Sequence, residues 1–102
     1  MPTVLFLMKY PLHRRDNLQN KFDGQLAAAR ELGWNAYCIG WDPQGMWLVG
    51  DGTRELLRRN RLTGMRGYEH TKIFPDLMAA ARVAMRRMHV DAVYLRYMPT
   101  FA

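Results

Sequence analysis

The sequence predicts an α/β domain: an open, mostly parallel sheet with helices packed on it and a β-hairpin inserted, in the order β-α-β-hairpin-α-β. Three observations predict it. Continuous apolar runs of strand length, such as "TVLFLM" at residues 3–8, suit strands buried on both faces of a sheet. Two longer segments carry apolar residues at three- and four-residue steps, the mark of one-sided helices. An Asp-Gly step at Asp51–Gly52 joins two strand-like runs, a strong hairpin signal.

The elements follow in order. After the first strand comes a polar loop, "KYPLHRRD". Asp16, with Gln19 three residues on, has the spacing of a helix N-cap box. The helix should run to about Leu32, with Phe22, Leu26, Ala29 and Leu32 on its buried face, and Gly33 suits its end, where glycine takes up a left-handed turn cheaply. "NAYCIGW", residues 35–41, is the second strand, so strand, helix and strand form a βαβ unit with parallel strands. "DPQG" is a turn. Residues 46–59 read as an antiparallel hairpin at the sheet's edge, although "TRELLRRNRL" has helical propensity as well. "NRLTGMRGYEHT" is loop. A second helix spans about Lys72 to Met88, with Pro75 in its first turn and Leu77, Ala81, Ala84 and Met88 as its apolar stripe. Its methionines are expected to fill core. "HVDAVYLRY" supplies the next parallel strand.

A chain of 102 residues is about one small domain, and 49% hydrophobic with 24% charged residues is a globular composition. The single cysteine, Cys38, excludes an internal disulfide and sits in an apolar run, which suits an inert buried thiol. No apolar stretch reaches transmembrane length, and the first residues lack the basic region of a signal peptide. These features fit a cytoplasmic protein. The net charge of +6 comes mostly from arginine and attracts anions in general. The arginines are scattered, and for most of them a solvated basic surface is the reading. Aromatic residues fall in strands and core rather than between the arginines, which argues against nucleic acid as a partner.

Ligands of open α/β sheets bind beyond the carboxyl ends of the strands. That directs attention to the loop and helix start after the first strand, and to Asp42 after the second. Arg14, Arg15, Asn17, Asn20 and Lys21 are the candidate substrate-binding residues, since an arginine fork holds a phosphate or carboxylate in two places and a lysine in one. A helix starting near Asn17 adds its free N–H groups. His13 is the candidate for proton transfer. Asp42 is placed either to meet a ligand or to begin the "DPQG" turn. No Gly-rich phosphate loop and no dinucleotide fingerprint is present, and His13, His70 and His89 lack metal-ligand spacing, so neither a cofactor nor a metal is expected.

Three stretches together resemble the N-terminal half of a bacterial glycosyltransferase of the GT-B fold, of the family 4 or group 1 type: residues 3–41, the hairpin "GMWLVGDGTRELLRR", and "DAVYLRYMPTF". In that family a strand, a variable loop and a helix ending in "LG-x-x-V" open the first domain, and a "D-x-[IV]-Y-[IL]-R-Y" strand matches Asp91 to Tyr97. Where many members carry a Gly-Gly pair after the first strand, this chain has "KYPLHRRDNLQ", so side chains rather than close backbone would do the contacting. The resemblance implies that residues 1–102 form part of a Rossmann-like, acceptor-side domain of a longer enzyme that moves a sugar from a nucleotide-sugar donor to an acceptor. It implies that the piece alone is inactive, since the donor-binding domain and the remaining catalytic residues would lie beyond it. Peripheral membrane association of the parent is left open. Apolar surface and a strand edge bared in the piece would favour self-association. The rival reading is a freestanding Rossmann-like module for a nucleotide or regulatory ligand.

Overall fold

The computed structural model describes residues 1–12, 17–59 and 73–95. Within them the chain runs β1 (Thr3–Pro11), α1 (Asn17–Glu31), β2 (Asn35–Asp42), β3 (Gly45–Val49), β4 (Arg54–Arg59), α2 (Ile73–Arg87) and β5 (Ala92–Leu95). The described strands form one sheet in the order β4-β3-β2-β1-β5. β1 pairs in parallel with β2 on one side and with β5 on the other. The pairs β2–β3 and β3–β4 are antiparallel.

The expectation of a mostly parallel sheet is therefore corrected: the sheet is mixed, with parallel pairing confined to β2-β1-β5. The reason is local. Only Pro43 and Gln44 separate β2 from β3, and a connection that short can join only antiparallel neighbours. The Asp42 carboxylate builds this turn, its Oδ1 accepting from the backbone N–H of Gln44 at 2.9 Å and of Gly45 at 3.1 Å. The next turn closes with Gly50 N–H donating to the Thr53 carbonyl at 3.0 Å, and Gly52 takes a φ of 74°. Residues 54–59, whose propensity also allowed helix, are strand β4, because pairing with β3 satisfies their backbone.

Side chains alternate across the sheet and give it two apolar faces. Val4, Phe6, Met8 and Tyr10 of β1, with Ala36 and Cys38 of β2, meet Phe22 and Leu26 of α1. Leu5 and Leu7 of β1, with Ile39 and Trp41 of β2, face the other way and meet α2 together with Met46, Leu48 and Leu57. On α2 the contact residues are Ile73, Leu77, Ala80, Ala81 and Ala84, all fully buried, and the alanines let the helix lie close to the sheet. The two helices thus cover opposite faces. Among the described residues no helix is long and apolar enough to cross a membrane.

Two packing expectations change. α1 stops at Glu31, and Leu32 is 80% exposed rather than part of the buried face. The cause is the helix end itself: Gly33, at φ 92°, donates to the Arg30 carbonyl at 3.0 Å and Trp34 donates to that of Ala29 at 3.1 Å. This double bond pattern turns the chain back, so Trp34 packs against the core in place of Leu32. Of the methionines expected in the second helix, Met88, just past the end of α2, packs on the core, whereas Met78 and Met85 within it are exposed.

Candidate functional site

The carboxyl ends of β1 and β2 lie side by side, Tyr10 opposite Gly40 and Pro11 opposite Trp41. The start of the loop after β1 is held onto β2. Leu12 N–H donates to the Trp41 carbonyl at 2.8 Å, and the Leu12 side chain occupies the space a Cβ at Gly40 would need, 2.6 Å from that position. Glycine at 40 is therefore what lets Leu12 lie flat on the strand. Tyr10 is buried, donates its hydroxyl to Asp23 Oδ1 and stacks at 6.0 Å on Phe22. These contacts tie the first half of α1 to the end of β1 and set the helix's amino end at the sheet's carboxyl edge.

The side chains expected to bind substrate divide accordingly. Asn20 and Lys21 are exposed on the first turns of α1, and Asn17 is the first residue of that helix. His13, Arg14 and Arg15 lie outside the described residues. Asp42 stands at the same edge, buried, and is committed to structure: besides the two turn bonds, its Oδ2 accepts from Arg54 Nη2 at 2.7 Å. Burial favours its neutral form, but the Trp47 indole N–H, the backbone N–H groups of Gln44 and Gly45 and the Arg54 charge outweigh that, and the carboxyl titrates below its ordinary value. The Trp47 N–H leans toward this carboxylate without closing a bond of ordinary geometry. Arg54 also lies 4.5 Å over the Trp47 ring. Asp42, Trp47 and Arg54 thus brace the hairpin, and the alternative of a ligand-contacting acid gives way to the turn-forming one.

Other arginines are likewise held rather than loosely solvated. Arg58 approaches Asp76 at 3.8 Å, and Arg87 pairs with Glu55, each pinning β4 to α2. At the opposite end Asp91 accepts from Thr3 N–H at 2.7 Å and pairs with His89 at 2.9 Å, fastening the start of β1 to β5. Asp91 therefore has a structural task in the stretch that carries part of the family resemblance.

Chemically, this edge offers an anion the amino end of α1 and the exposed Lys21 ammonium, whereas the Arg54 charge is already paired with Asp42. Among the described residues there is no group of three or more metal-ligating side chains. Cys38 is buried, and burial pushes its thiol up to about 12, so it is inert. No protein-family model, no curated protein and no solved structure matches this chain.

Sequence reasoning missed the Tyr10–Asp23 bond and the Arg54–Trp47–Asp42 stack. Tyr10 falls in the stretch read from the sequence as a polar loop, whereas β1 continues through it to Pro11. Arg54 and Asp42 are joined across two turns, and nothing local marks that pairing.

Proposed function

We propose that this domain is Rossmann-like and forms the acceptor-side part of a glycosyltransferase that uses a nucleotide-sugar donor. The observation that carries the reading is the position of β1. It lies between two parallel neighbours, β2 and β5, and the helices that precede these two strands pack on opposite faces of the sheet. A sheet wound outward in both directions from one strand leaves a crevice at that strand's carboxyl end, where such folds bind their ligands. Asn20, Lys21 and the amino end of α1 stand at this end, and Arg14 and Arg15 precede that helix in the sequence. An anionic acceptor or a donor phosphate suits that charge.

The test is sugar transfer by the full-length gene product with a panel of nucleotide sugars, repeated for the double variant Arg14→Ala, Arg15→Ala. Loss of a charge-assisted contact is expected to lower kcat/KM about ten- to a hundredfold. Turnover unchanged in a folded double variant would return the loop to mere surface. If no donor is turned over but a nucleotide binds saturably, the freestanding ligand module is the better reading.

A further inference from the structure

A second hollow lies at the other end of the sheet. It encloses about 410 Å³ between the start of β2, the end of α1 and the β3–β4 turn, and Arg30, Trp34, Asn35, Tyr37, Asp51 and Thr53 line it. The volume falls in the range of small-ligand sites. Its wall is closely fitted: a Cβ at Gly50 would come within 2.5 Å of the Thr53 hydroxyl oxygen and 2.7 Å of the Tyr37 ring. The turn thus presses directly on Tyr37 and holds Thr53 at the hollow.

Arg30 is the unusual member. It is half-buried, and its Nη2 donates to the Ala36 carbonyl at 2.9 Å. Arg54, Arg58 and Arg87 each face a carboxylate, but Arg30 has none within ion-pair distance among the described residues. A guanidinium has five N–H donors, and one backbone carbonyl leaves most of them unused. A partly desolvated cation of this kind favours a bound anion. The two aromatic side chains beside it offer apolar surface to a flat group.

We propose that this hollow binds a small planar ligand bearing an anionic group, a phosphate or a carboxylate, with Arg30 as its counter-charge. Trp34 and Tyr37 meet the flat body. Asn35 and the Thr53 hydroxyl supply hydrogen bonds, and Asp51 accepts from a hydroxyl or amine at the ligand's far end. The site lies at the amino edge of the sheet, away from the carboxyl edge assigned to substrate, and does not depend on that reading.

The experiment titrates the isotopically labelled 102-residue chain with adenosine monophosphate, benzoate and uncharged adenosine, following amide shifts. Saturable binding of adenosine monophosphate or of benzoate is expected, with shifts centred on Tyr37, Asp51 and Thr53, and the responding compound tells phosphate from carboxylate. Adenosine should bind at least about tenfold more weakly than its monophosphate, and Arg30→Gln should raise the Kd of the responding anion by about tenfold or more. Absence of saturation by either anion below about 10 mM would overturn the proposal. So would shifts centred on Tyr10 and Lys21, a readout that does not depend on the variant's folding. An unchanged Kd in a folded Arg30→Gln protein would overturn it as well.

Discussion

Arg54 reaches from the outer strand of the sheet to the Asp42 carboxylate two strands away, Nη2 to Oδ2 at 2.7 Å, while its guanidinium lies over the Trp47 ring between them. The carboxylate that shapes the β2–β3 turn is thereby also the anchor of β4. Loss of Asp42 removes a turn and an ion pair together.

Asp42→Asn is expected to destabilise the fold by about 1–3 kcal/mol at neutral pH, since a partly buried guanidinium loses its carboxylate. The pH dependence has a defined sign. The folded pKa of Asp42 is depressed below the ordinary value of 3.8, so its contribution is complete above that pH and is lost as pH falls through the lower folded value. Denaturant melts of the two proteins should therefore differ at pH 7, and the gap should shrink as pH falls below the ordinary carboxylate value of 3.8. A gap that does not shrink at all on acidification would show that the Asp42 charge is not the source.

Two glycine-to-alanine changes should act with opposite sign. A methyl group at Gly45 would lie 2.1 Å from the Arg58 backbone carbonyl, in a paired strand that cannot give way. Gly45→Ala is expected to cost about 3 kcal/mol or more. Gly24 is inside α1 with nothing within 4 Å of a new methyl, so Gly24→Ala should gain about 0.5–1 kcal/mol from helix propensity. Thermal melts of both variants check the pair.

Cys38 should resist alkylation in the native protein. Burial, opposed by the Arg30 charge and aided by that of Asp23, pushes its thiol from 9.0 to about 12, which lowers the thiolate fraction at pH 8 by about a thousandfold. Iodoacetamide labelling should appear only as the chain unfolds in denaturant. Rapid labelling of the folded protein would contradict the burial.

β5 stands at one margin of the described sheet, and its Val93, Tyr94 and Leu95 are 46%, 46% and 63% exposed. An apolar strand at a sheet margin pairs readily with another copy. Sedimentation of the 102-residue chain should show concentration-dependent association, reduced by Val93→Lys with Leu95→Lys. A monomer at all concentrations would remove this expectation.

Much of the fold was legible in the sequence because its signals are local. A strand buried on both faces must be apolar at every position, as Thr3 to Met8 nearly are, and a helix covering one face must repeat at three and four residues, as Leu77, Ala81 and Ala84 do. Gly33 and the Asp51–Gly52 step are also local, because backbone conformation depends on the residue itself. Of the candidate binding residues, Asn20 and Lys21 were placed by their position after the first strand, and they are exposed on the first turns of α1. The misplacement of Leu32 has a local origin too: the double bond closing the helix passes over it to Trp34, and hydrophobic spacing does not reveal where that closure falls.

Long-range pairings left no such trace. That β5 joins β1 rather than β4, that α1 and α2 take opposite faces, and that Arg87 meets Glu55 depend on groups 30 or more residues apart, brought together by the burial of both sheet faces at once. The same holds for the amino-edge hollow, whose Arg30, Tyr37 and Thr53 come from a helix, a strand and a turn. Each residue type was visible in the chain, but a site is a relation in space, and that relation arises only when the elements pack.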